Sequence, residues 1–108
     1  MADKKLELVP LYEWGMFTEP RPSVVAGPCS AESLEQVMET AKGLKELGIN
    51  VFRAGIWKPR THPGCFEGIG VEGLEWLQQV KKEYGIKVST EVASERHVYE
   101  CLKYGVDL

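Results

Sequence analysis

Three segments with apolar residues at helical spacing, each closed by a glycine, alternate along this chain with short apolar runs. That alternation constrains the fold more than any other feature. The run at 23–26 carries no charge, as expected of a strand covered on both faces. Gly27-Pro28 ends it. Ser33 and Gln36 then stand at capping-box spacing. Behind them Leu34, Val37, Met38, Ala41, Leu44 and Leu47 share one helical face, with Gly48 at the C-terminal stop. A second strand is predicted over 50–56 and a glycine-rich loop over 57–70. A second helix follows over 71–84, with Leu74, Leu77 and Val80 inward and Gly85 as its stop. A third strand is predicted over 87–92. Ser94 caps a third helix with Val98, Cys101 and Leu102 inward, and Gly105 closes it. Residues 106–108 read as the start of a fourth strand.

The order βαβαβα implies an α/β fold of parallel strands joined by right-handed crossovers. An open three-stranded sheet would leave two edges unpaired. A closed (β/α)₈ barrel needs about 250 residues, and this chain has 108. The expectation is therefore the N-terminal part of a (β/α)₈ barrel, about three βα units over 23–108, or a module that needs other copies to close. Residues 1–22, broken by Pro10, Pro20 and Pro22, are expected to form an arm or a strand lying against that body.

Composition narrows the partners. A hydrophobic content of 44% supports a core, and a net charge of −3 argues against nucleic acid or an acidic membrane surface. No apolar run approaches the roughly 20 residues that span a bilayer, and no signal-peptide core precedes residue 23. Cys29, Cys65 and Cys101 are odd in number and lack CxxC spacing, which points to a reducing cytoplasm.

The chemistry concentrates after the strands, where loops of a parallel barrel build the active site. Arg53, Lys58, Arg60 and Thr61 place three cations and a hydroxyl within nine residues. Such a set suits phosphate or carboxylate anions. A solvated charged loop is the competing reading, but Arg53 interrupts an apolar strand and so calls for a buried partner or a ligand. Cys29, in Ala26-Gly27-Pro28-Cys29-Ser30 after the first strand, could be a metal ligand, a nucleophile or a small buried hydrophobe, and spacing alone favours the last. Glu91, at the end of strand three, could orient Lys58, act on a substrate proton, or pair with Arg53. His97 and Cys101, four apart on one helix, supply at most two metal ligands. His62 reads as a surface histidine, and Trp57, Trp76 and Phe66 read as packing residues.

The stretches AGPCSAES, FRAGIWKPRTHPGCFEG and STEVAS resemble the DAHP synthases, in the short form related to the octulosonate phosphate synthases. KPRT is the specific element, and the resemblance covers 23–108. It implies a (β/α)₈ barrel enzyme of the shikimate pathway that condenses phosphoenolpyruvate with erythrose 4-phosphate. It implies a divalent metal (Mn, Fe, Zn or Co) with Cys29 as one ligand. Arg53 and Lys58 would hold phosphoenolpyruvate, with Lys58 a candidate proton donor. Arg60 and Thr61 would hold erythrose 4-phosphate, and Glu91 would stand beside the phosphoenolpyruvate site. A homo-oligomer is implied for the full-length enzyme. The family's further metal ligands (a histidine, a glutamate and an aspartate) would lie beyond Leu108, so these 108 residues alone are expected to lack synthase activity.

Overall fold

The computed structural model describes residues 6–17, 23–58 and 68–108. A three-stranded sheet is built from β1 (Val25–Ala26), β2 (Val51–Arg53) and β3 (Lys87–Ser89). The strands are parallel in the order β1-β2-β3, with Val25 opposite Val51 and Phe52 opposite Val88. Helices α1 (Leu34–Glu46), α2 (Glu72–Tyr84) and α3 (Glu95–Tyr104) complete three consecutive βα units. Residues 6–17 hold one 3₁₀ turn, Leu11–Trp14, steadied by the Trp14 indole N–H donating to the Val9 carbonyl at 3.0 Å, and no strand.

The helix limits follow the sequence signals. The Ser33 hydroxyl accepts from the Gln36 N–H, and the Gln36 side chain accepts from the Glu32 N–H, so the capping box is formed with its return bond one residue early. The Ser94 hydroxyl accepts from the His97 N–H in the same way. Gly85 and Gly105 end α2 and α3 in the left-handed region, at φ 67° and 76°, where a side chain would be strained.

The strands are shorter than the apolar runs. Beyond Arg53 the carbonyls leave the ladder: Ala54 accepts from the Thr90 hydroxyl, Gly55 from the Ala31 N–H and Ile56 from the Gly70 N–H. Each backbone acceptor is satisfied by a loop rather than by a strand, which ends β2 while keeping its tail buried. Residues 106–108 do not reach a full strand, but they begin to pair with β3, as the sequence predicts: the Leu108 N–H donates to the Val88 carbonyl at 3.2 Å and the Leu108 carbonyl accepts from the Thr90 N–H at 3.1 Å, the bond pair of a parallel ladder. The Asp107 N–H also donates to the Val88 carbonyl, and the Asp107 carboxylate accepts the Val88 N–H.

The core joins Phe52, Ala54, Ile56, Ile86 and Val88 of the sheet side to Val37 and Ala41 of α1 and Leu74, Leu77 and Val80 of α2. Met38 and Leu44 pack at its margin. Four predicted inward residues are not buried: Leu34, Leu47, Val98 and Leu102, with Leu102 73% exposed. Their helices turn toward α2. Cys101 is the buried residue of α3, and the Leu102 side chain is left largely in solvent.

Candidate functional site

The parallel order brings three loops together at the carboxyl ends of the strands: 27–33 after β1, 54–58 after β2 and 90–94 after β3. They are tied directly to each other. The Ala31 N–H donates to the Gly55 carbonyl at 2.8 Å, and the Thr90 hydroxyl to the Ala54 carbonyl at 2.8 Å. The Gln36 side-chain amide donates to the Ser30 carbonyl at 3.1 Å, holding the first loop against α1.

Two glycines allow this approach. A Cβ on Gly27 would lie 1.7 Å from the Arg53 carbonyl oxygen. One on Gly55 would lie 2.2 Å from the Cys29 carbonyl oxygen and 2.4 Å from Lys58 Nζ. Gly55 is therefore the floor over which Lys58 folds back into the cluster.

Lys58 is the centre of the site. It is only 9% exposed. Its ammonium donates to the Cys29 sulfur at 3.4 Å and forms an ion pair with the Glu91 carboxylate. Burying a cation is costly unless it is paired, and these contacts supply the pairing. Glu91 in turn is held below the usual carboxylate range. The largest cause is the hydrogen bond from Lys58, desolvation opposes it, and the charges of Lys58 and Arg53 add to it. Of the three roles open to Glu91 in the sequence, the structure places it on Lys58 rather than in an ion pair with Arg53. Arg53 ends β2 half-buried, its charge acting on Glu91.

Cys29 is exposed, against the buried role that spacing favoured. Its thiol meets the Lys58 ammonium instead of packing in the core. Ser30 carries a buried hydroxyl with no hydrogen-bond partner among the described residues. Arg60, Thr61, His62, Cys65 and Phe66 lie outside the described residues.

Cys29 fits a metal as a single soft donor. No group of three or more histidine, cysteine or acidic side chains able to hold a metal occurs among the described residues. Its neighbour Lys58 is a cation, not a ligand. The described residues therefore do not make a metal site on their own. The His97–Cys101 pair is otherwise engaged: Cys101 is buried in the core, and burial, with Glu100 adding to it, pushes its thiol up.

Sequence reasoning did not foresee two supports: Thr90 and the pairing of Trp57 with His97. The Trp57 and His97 rings stack at 3.9 Å between centroids and 5° between planes. Capping spacing signalled Gln36. Nothing in the linear sequence signals a contact across 40 residues.

A cation buried at the mouth of parallel strands, beside a thiol and a carboxylate, is the kind of arrangement found at the active-site end of α/β proteins with parallel sheets. The chain belongs to the DAHP synthetase I family, whose model matches residues 17–106. It is 45% identical over 90 residues to a phospho-2-dehydro-3-deoxyheptonate aldolase of Thermotoga maritima, covering 83% of this chain and 25% of that protein. It is 41% identical over 80 residues to a 2-dehydro-3-deoxyphosphooctonate aldolase of Helicobacter pylori, covering 68% of this chain and 29% of that one. The crystal structure of the Thermotoga maritima DAHP synthase superposes with a TM-score of 0.67, over 74% of this chain and 22% of that chain. A truncated form of 3-deoxy-D-arabino-heptulosonate 7-phosphate synthase from the same organism superposes at 0.60, with 39% identity, over 74% of this chain and 27% of that one. The chain thus spans about a quarter of the length of these relatives, and its three βα units correspond to part of a DAHP synthase barrel.

Proposed function

We propose that these residues carry one side of the active site of a synthase that joins phosphoenolpyruvate to erythrose 4-phosphate. The observation that supports this reading best is the buried Lys58 ammonium, shared between Cys29 and Glu91 at the strand ends. In the reaction, the methylene carbon of the enolpyruvate forms a bond to the aldehyde carbon, whose oxygen takes a proton. Water adds to the neighbouring carbon, and phosphate leaves with cleavage of its C–O bond. Lys58 and Arg53 hold the enolpyruvate anion. The ammonium of Lys58 is the candidate proton donor. Glu91 pairs with that ammonium and aims it. Preorganised charge of this kind lowers the barrier because it needs no rearrangement as charge develops.

Arg60 and Thr61 serve the erythrose 4-phosphate side in this reading, and residues 1–22 form an arm outside the barrel unit 23–108. Cys29 gives one ligand to a divalent metal, and the remaining donors come from outside the described residues. The 108 residues bind substrate and do not turn it over.

The test is a ¹H–¹⁵N titration of the 108-residue chain with phosphoenolpyruvate. Shifts at Arg53, Ala54 and Lys58 are expected. Dispersed peaks that ignore the ligand would remove the reading, and condensation product made by the purified chain would refute its inactivity. The relatives named for the octulosonate reaction make arabinose 5-phosphate the aldose to compare with erythrose 4-phosphate.

A further inference from the structure

His97 joins the two loops that carry Lys58 and Glu91. Its ring stacks flat on Trp57, the residue before Lys58. Its Nδ1 accepts the Ala93 N–H at 3.0 Å, two residues after Glu91. Its own N–H is capped by Ser94. The side chain therefore touches the second loop with its face and the third loop with its edge.

Capping accounts for only half of this. Gln36 takes the equivalent bond in α1, from Glu32, with an amide, so no aromatic ring is needed to close a helix start. The ring adds a contact that Gln36 lacks, to a different loop. Stacked rings hold distance and tilt together, and each has few rotatable bonds to lose. Arg96 and Glu100 stand together in the cleft of about 260 Å³ beside the stack, so it favours neither sign of ligand charge.

We infer that His97 is a positioning residue, which sets the spacing of Lys58 and Glu91 through Trp57 and Ala93 and so tunes anion binding at Lys58. The inference rests on the proposed role of Lys58 in holding phosphoenolpyruvate.

The experiment measures phosphoenolpyruvate affinity by calorimetry, together with Tm, in the natural polypeptide that carries these residues. His97→Ala is expected to weaken binding about tenfold, since small misplacements of binding groups cost factors of that order or more. His97→Asn keeps an acceptor for Ala93 without the ring, and His97→Phe keeps the ring without the acceptor. Both are expected to stay weakened. Ser94→Ala removes the cap of the same helix but neither contact, and is expected to lower Tm while leaving the affinity unchanged. Full recovery in either conservative variant, or equal weakening in Ser94→Ala, would overturn the inference and leave His97 a capping or packing residue. Lys58→Ala separates the two readings. If it binds phosphoenolpyruvate like the wild type, the site assignment itself has failed. If it loses binding while His97→Ala does not, only the positioning role has.

Discussion

The Lys58 ammonium reaches across 29 residues of sequence to lie 3.4 Å from the Cys29 sulfur. The contact exists because residue 55, between Lys58 and the Cys29 backbone, has no side chain. A methyl group there would sit 2.2 Å from the Cys29 carbonyl oxygen and 2.4 Å from the ammonium. Site and backbone are thus joined at one small residue.

Gly55→Ala is accordingly expected to damage binding more than folding. The clash with a backbone carbonyl costs about 1–3 kcal/mol, the usual range for overpacking. The displaced ammonium loses its aim, and phosphoenolpyruvate affinity is expected to fall by roughly a hundredfold. Titration calorimetry with a parallel melt separates the two effects. A variant that melts lower but binds normally would show that Lys58 finds its place without the floor.

Glu91 gives a prediction in pH. Its carboxyl titrates lower in the folded chain than its reference value of 4.5, mainly through the Lys58 hydrogen bond. A carboxylate lowered by folding stabilises the fold above its unfolded value and loses that contribution as pH falls through the folded one. The advantage of wild type over Glu91→Gln is therefore expected to be complete at neutral pH, to shrink as pH drops below about 4.5, and to vanish at lower pH. Solvent screens this half-exposed group, so the amplitude is small. Melting both proteins across that range checks it, and a difference that grows toward acid would contradict the ion pair.

How much of this was legible beforehand depends on the range of the interaction. The βαβαβα order, the caps at Ser33 and Ser94 and the stops at Gly85 and Gly105 are local, and the sequence displays them. The facing of Lys58 and Glu91 was open in the sequence only as one of three roles, because the choice between Lys58 and Arg53 is made by how far past β2 each side chain starts. Arg53 sits within the strand, whereas Lys58 lies five residues on and turns back. Strand ends were overestimated because the apolar run continues to Ile56 while its carbonyls are already bonded to Ala31 and Gly70. Hydrophobicity records burial, not the identity of the hydrogen-bond partner. Leu102 was assigned inward because helical period marks an apolar face without saying what covers it.

The cysteines differ in access. Cys29 is exposed and Cys101 is buried, with its thiol pushed up. Iodoacetamide is expected to modify Cys29 in the native chain while Cys101 stays unreacted until denaturant is added, since only an accessible thiolate is an effective nucleophile. Peptide mass mapping after short exposure reads this directly. Native-state labelling of Cys101 at a comparable rate would mean that α3 opens away from α2.

The two faces of the helices should separate sharply in stability. Leu77 on α2 is 1% exposed and sits in the core, whereas Leu102 on α3 is 73% exposed. Leu77→Ala leaves a cavity and is expected to cost about 2–5 kcal/mol. Leu102→Ala removes a side chain already in water and is expected to stay within about 0.5 kcal/mol in the 108-residue chain. Urea unfolding of both variants measures the contrast. The Leu102 value carries the sharper information, because an apolar helix face that costs nothing to truncate is an uncovered one. A loss well above that bound would show that another surface packs on α3 in solution, and repeating the measurement at several protein concentrations would tell whether that surface is a second copy of the chain.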